Sequence, residues 1–237
     1  MKKFTYLLIT LLFCVVGCMS AQTVVEPYLP AEELPDAVKF LPPPPEDGSA
    51  AFAYDEAQHI WGKSQREGER GLRAVREGTT NPDTMAVMFS KYVGRELSEA
   101  ATPKTMHLIR RSIRTFRLSV IAPKANYMRL RPYVFYREGT MIPEDEEYER
   151  NKGSYPSGHT IRGWGLALVL AELFPDRQDE ILIAGYEWGQ SRVIAGYHWQ
   201  SDVDASRLLA SAVFARLHSC PEYLADLAAA QEELSAE

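Results

Sequence analysis

The run TIRGWGLALVLAELF, from Thr160 to Phe174, constrains the fold more than any other stretch of this chain. It is small and apolar on almost every side, and Pro175 ends it. A helix without a polar face has to be enclosed by other elements. The flanking chain supplies them. Ser49 caps AAFAYDEAQHIWGKSQ, where Phe52, Glu56, His59 and Ile60 recur three and four residues apart. Further helices are expected over Gly68 to Glu77, from Asp83 after the break GTTNPD, over Gln178 to Ile194, over Ser201 to Leu217 and over residues 222–234. Thr102-Pro103 opens one long helix read through to Tyr127, with proline at a favourable first position. No run alternates with a period of two, and turn signals at strand spacing are missing, so the expected fold class is all-α.

The 237 residues suit one sizeable domain. Residues 1–21 read as an export signal: Lys2 and Lys3 precede an apolar core, Tyr6 to Val16, too short to span a bilayer. Two processing routes compete. One cuts after Ala21 and leaves Gln22 first; the other reads VVGC as a lipoprotein box with a lipid anchor on Cys18. Residues 22–48 are a proline-rich arm, ending in LPPPPEDGS, expected to be extended and ordered in its second half. Residues 49–237 form the helical domain. Only Cys220 certainly survives processing, so no internal disulfide is expected. No later segment is long and apolar enough for a transmembrane span. The net charge of −6 argues against a general nucleic-acid binder; basic residues that matter must be gathered locally.

Three short patterns carry chemistry. In the first, Lys124 offers a point charge and Arg131, before Pro132, a planar fork for two phosphate oxygens. In the second, Pro156-Ser157-Gly158-His159 opens the apolar helix. Its free amide groups and dipole make a phosphate seat, Ser157 adds a hydroxyl, Gly158 permits close approach and His159 can hold a proton. In the third, Arg192 precedes His198, and Asp202 follows it by four residues, so the carboxylate can fix the imidazole tautomer. No carboxylate pair or His-x-x-x-His helix reads as a metal site, and no cofactor is expected.

Taken together and in this order, the patterns resemble the signature of the type-2 phosphatidic acid phosphatase superfamily, which includes the vanadium haloperoxidases. GSYPSGHT and LPPPPEDGSAAFAYDEA are similar to segments of its bacterial class A non-specific acid phosphatases. The resemblance implies an all-α, metal-independent, vanadate-inhibited phosphomonoesterase in the periplasm, acting on small organic phosphate esters. It also implies a homo-oligomer. His198 would be the nucleophile that forms a phosphohistidine, Asp202 its orienter and His159 the general acid. Lys124, Arg131, Ser157, Gly158 and Arg192 would hold the phosphate.

Two other readings stay open: a nucleoside di/triphosphate or lipid-phosphate hydrolase of the same superfamily, and a vanadium haloperoxidase. Residues 131–155 read as a loop, and the acidic run Glu144 to Glu149 as a solvated surface. Tyr155, Trp164, Tyr197 and Trp199 are candidates for the leaving-group pocket, with core packing the simpler role for Trp164.

Overall fold

A computed structural model describes residues 25–236 of the chain. The expected signal segment, residues 1–21, and Cys18 lie outside the described residues. Among the described residues there is no strand, and the fold is all-α. The helices run α1 (Ala37–Phe40), α2 (Ala50–Ser64), α3 (Gly68–Arg76), α4 (Pro82–Val93), α5 (Pro103–Leu118), α6 (Ile121–Tyr127), α7 (Pro132–Phe135), α8 (Glu146–Glu149), α9 (Gly158–Leu173), α10 (Gln178–Ala195), α11 (Gln200–Leu217) and α12 (Pro221–Ser235). No described helix is long and apolar enough to cross a membrane.

The apolar run becomes α9, the centre of the bundle, with α5, α10 and α11 packed around it. Ile161, Leu166, Ala167, Val169 and Leu170 are fully buried. Small residues let the neighbours approach. A Cβ added at Gly163 would lie 2.4 Å from the Trp188 ring of α10, and one at Gly165 would lie 2.5 Å from the Phe116 ring of α5. Dispersion and apolar burial grow with such close approach, at about 25 cal/mol per Å² removed from water.

Caps set the helix starts as the sequence implies. Ser49 accepts from the Phe52 amide, and Asn81 accepts from the Asp83 and Thr84 amides one residue before Pro82. Three expectations need correction. The helix read from Thr102 to Tyr127 is two helices, α5 and α6. Pro123 cannot donate, and its ring would clash with the Ser119 carbonyl one turn back, so the first helix stops at Leu118. The arm is not purely extended: Asp36 caps the single turn α1 between Pro35 and Pro42. It is also seated from residue 25 onward, with Tyr28, Leu29, Leu34, Ala37 and Leu41 buried, and the Tyr28 hydroxyl donating to Asp226 at 2.7 Å. Finally, residues 131–155 are not simple loop, since they hold α7, a 3₁₀ turn at Pro143–Asp145, and α8.

Cys220 is a free, buried thiol.

Candidate active site

The site lies where the N-termini of α9 and α11 meet the loop after α6. Ser157 caps α9, accepting from the Thr160 amide at 3.2 Å and from the Thr160 hydroxyl at 2.9 Å. Its own amide donates to the Asp202 carbonyl at 3.1 Å, which ties the two helix starts together. Gly196, with φ 87°, ends α10 in the left-handed region that glycine adopts without a steric cost. The chain reverses there, and the Tyr197 and His198 amides fold back onto the Arg192 carbonyl at 3.0 and 3.3 Å.

His198 is 1% exposed. Its Nδ1 faces Asp202 Oδ2 at 3.2 Å, and its Nε2 faces Arg131 Nη1 at 3.1 Å. A guanidinium only donates. Nε2 must therefore present a lone pair to Arg131, and the proton sits on Nδ1, toward Asp202. Burial and the charges of Arg131, Lys124 and Arg192 hold the ring well below the usual imidazole pKa, so it is neutral and carries an available lone pair.

Asp202 is the third helical residue of α11, not a partner one helical turn from His198, because His198 precedes the helix. Its Oδ2 accepts from the Trp199 amide at 2.9 Å and from the Ser154 hydroxyl, and its Oδ1 accepts from Arg129 Nη1 at 2.8 Å. The Arg129 fork also reaches Asp55 Oδ2 at 2.6 Å, and Asp55 in turn accepts from the Ser201 amide and hydroxyl. A buried carboxylate that accepts from this many donors is held in one orientation.

His159 donates from Nε2 to the Gly78 carbonyl at 2.9 Å. That leaves Nδ1 as the ring atom able to exchange a proton. Burial, then the charges of Arg192 and Arg162, push this imidazole well below its ordinary pKa too. The protein groups push both imidazoles the same way, so any separation of the two must come from the bound phosphate.

A cleft of about 270 Å³ joins Lys124, Arg131, Gly158, His159 and His198. Lys124 Nζ donates to the Gly153 and Ser154 carbonyls at 2.6 and 3.1 Å; burial and the adjacent Arg131 push its ammonium down to about 7. Ser157, Arg192 and Asp202 do not line the cleft but sit buried behind it. Arg192 stacks on Tyr197 with 4.6 Å to the ring centroid, its Nε and Nη1 have no hydrogen-bond partner, and burial lowers it to about 10. A buried guanidinium with orphaned donors is suited to an anion.

The acidic run is not merely solvated. Glu149 projects into the cleft, where its side chain pairs with Arg131 Nη2 and its carbonyl accepts from Arg131 Nε at 3.1 Å. Among the aromatic candidates, Trp164 keeps the packing role expected of it while the other three change. Tyr155, Tyr197 and Trp199 are each at most 2% exposed, Trp164 packs against the main core and bonds Ser211, and the aromatic at the cleft is Tyr148.

A model of the PAP2 superfamily matches residues 112–226. The non-specific acid phosphatase of Providencia stuartii is 43% identical over 209 residues, 88% of this chain and 84% of that protein. The chain belongs to the PAP2 superfamily. The non-specific acid phosphatase of Salmonella typhimurium is 39% identical over 98% of this chain and 93% of its own length. An acid phosphatase of Zymomonas mobilis is 34% identical over 84% of this chain and 75% of its own.

In this PAP2 chain, sequence reasoning missed Asp55, Arg129, Ser154, Arg162 and Glu149. Arg129 is two residues before Arg131, and Ser154 three before Ser157, so proximity to the motifs was a usable signal. Asp55 offered none, being an unremarkable helical carboxylate until it folds against Ser201. Among the described residues no group of three or more His, Cys, Asp or Glu is placed to hold a metal ion.

Proposed function

We propose that this chain is an acid phosphatase that is exported to the periplasm and releases phosphate from organic monoesters through a phosphohistidine at His198, with no metal. The observation that carries the reading is the Nε2 lone pair of His198, oriented by Asp202 and directed at Arg131 inside a cationic cleft. The relatives named acid phosphatase support the reaction class.

The substrate phosphoryl group sits on the N-terminus of α9, with Lys124 and Arg131 on its oxygens and Arg192 behind. Catalysis of phosphoryl transfer is chiefly positioning and charge stabilisation. His198 Nε2 forms a bond to phosphorus as the ester P–O bond breaks, and His159 delivers a proton from Nδ1 to the leaving oxygen. Asp202 balances the charge that develops on the His198 ring. In the second step His159 takes a proton from water, whose oxygen bonds phosphorus while the P–N bond breaks. The dianion itself supplies the charge that opposes Arg192 and Arg162 at His159 and raises that ring toward its protonated form. An acidic optimum follows from this requirement.

The test is His198→Ala with p-nitrophenyl phosphate at acidic pH, after EDTA treatment. Wild type should turn over undiminished by EDTA, and quenching with labelled substrate should trap acid-labile phosphate on the protein. Residual variant activity above about a tenth of wild type overturns the nucleophile assignment.

A further inference from the structure

Ser191 stands directly before Arg192 and is fully buried. Its hydroxyl donates to Glu77 Oε2 and accepts from Arg70 Nη1 at 2.9 Å. Glu77 ends α3 and is 3% exposed; its other oxygen, Oε1, accepts from Arg73 Nε at 2.7 Å. Arg70 also donates to the Glu187 carbonyl at 3.2 Å and pairs with the Glu187 carboxylate at 3.1 Å. None of Arg70, Arg73, Glu77 or Ser191 lines the cleft of His198. Burying a carboxylate is costly unless it is paired and hydrogen-bonded. Glu77 is both, and the same contacts fasten the end of α3 to α10.

The next residue connects this network to the chemistry. The Gly78 carbonyl accepts from His159 Nε2 at 2.9 Å. The Gly78 backbone is closely confined: a Cβ there would lie 2.5 Å from Ile142 Cδ1, 2.9 Å from the Val75 carbonyl oxygen and 3.4 Å from Arg192 Nη1. In a neutral imidazole, the hydrogen bond made by one nitrogen sets the role of the other. With the Gly78 carbonyl in place, the proton stays on Nε2. Nδ1 then keeps the lone pair that takes a proton from water in one step and, once protonated, gives it to the leaving oxygen in the other. Were the carbonyl to drift, the proton would distribute over both nitrogens and the ring would lose its orientation.

We infer that Glu77 is a positioning residue for the general acid. Its carboxylate, held by Arg73 and Ser191, fixes the Gly78 carbonyl, which in turn holds the His159 ring with Nδ1 free for proton transfer. This rests on the phosphatase reading and deepens it. It also gives Ser191 a part, since its hydroxyl ties the end of α3 to the helix that carries Arg192.

The experiment measures kcat/KM for glycerol phosphate, an alkyl ester, and for p-nitrophenyl phosphate, with the full chain and its variants Glu77→Ala, Ser191→Ala and Glu77→Gln. Of the about 10²–10⁴-fold that general acid catalysis contributes, Glu77→Ala and Ser191→Ala should each forfeit about tenfold on the alkyl ester. The rate on p-nitrophenyl phosphate, whose leaving group needs no proton, should stay within about twofold. Glu77→Gln should recover most of the loss. Its amide still accepts from Arg73 and donates to the Ser191 oxygen, whose own proton turns to the Glu187 carbonyl at 3.1 Å. Equal losses on the two esters, or no loss, overturn the role. In a His159→Asn background Glu77→Ala should cost the alkyl ester nothing further; a full additional loss assigns Glu77 to structure alone. Should Glu77→Ala fail to fold, Ser191→Ala, which deletes a single oxygen, carries the comparison. If wild type hydrolyses neither ester, the phosphatase reading has failed, and nitrogen NMR of the histidine rings at neutral pH decides the positioning role. His159 should hold its proton on Nε2 in wild type and share it between both nitrogens in Ser191→Ala; a fixed Nε2 proton in both refutes the role.

Discussion

Arg131 serves His198 and Glu149 with one guanidinium: Nη1 lies 3.1 Å from His198 Nε2, while Nη2 takes the Glu149 carboxylate. In the proposed binding mode a phosphate oxygen takes the Nη2 that Glu149 holds, which would make this carboxylate, delivered by α8, a competitor built into the cleft.

Glu149→Gln should strengthen phosphate binding. The charged contact to Arg131 opposes the substrate by about 1.5–3 kcal/mol, and an amide removes most of that. The inhibition constant of inorganic phosphate should fall by about tenfold. An unchanged or weaker inhibition constant would show that Glu149 does not compete.

With p-nitrophenyl phosphate, whose leaving group needs no proton from His159, the alkaline limb of kcat/KM should belong to Lys124. Its ammonium is brought down to about 7, so the cation is present below that pH and lost as pH rises through it. A bound dianion favours the charged form and moves the limb upward in kcat. Lys124→Arg keeps the charge at all working pH values, so its kcat/KM limb should shift to higher pH. A pH profile identical to wild type refutes the assignment.

His159→Asn should separate substrates by leaving group. General acid catalysis contributes about 10²–10⁴-fold where the leaving oxygen needs a proton. Alkyl phosphates should lose that factor, while p-nitrophenyl phosphate, whose leaving group departs without protonation, should lose far less. Equal losses would assign His159 to binding alone.

Arg129→Met should unfold the site before it alters the chemistry. It strips the shared cation from the buried carboxylates Asp55 and Asp202. Leaving buried charge uncompensated costs about 3–5 kcal/mol. Thermal melting should drop by several degrees, and pairing the change with Asp55→Asn should recover part of it. A melting temperature equal to wild type would show that the bridge is not stabilising.

Much of the helical plan was legible because caps, prolines and apolar period are local signals. Ser49, Asn81-Pro82 and Pro175 mark boundaries that the structure keeps close to where the sequence puts them. The error at Ser119 came from reading apolar period through Pro123, although a missing amide outweighs periodicity. The acidic run was misread for a different reason: composition reports that Glu149 is charged, not that its helix folds over Arg131. Asp202 was paired with His198 from a spacing of four. The contact exists, but through a carboxylate reaching back at a helix start.

By itself the sequence determined that helices enclose Thr160 to Phe174, and it named the histidines and cations worth placing. Those properties depend on residue type and short spacing. Tertiary structure decided which ring nitrogen of His198 carries the lone pair, that Arg129 joins Asp55 to Asp202, and that Glu149 pairs with Arg131. Each depends on side chains brought together from different helices and loops. Direction, burial and charge compensation there arise only when the helices pack.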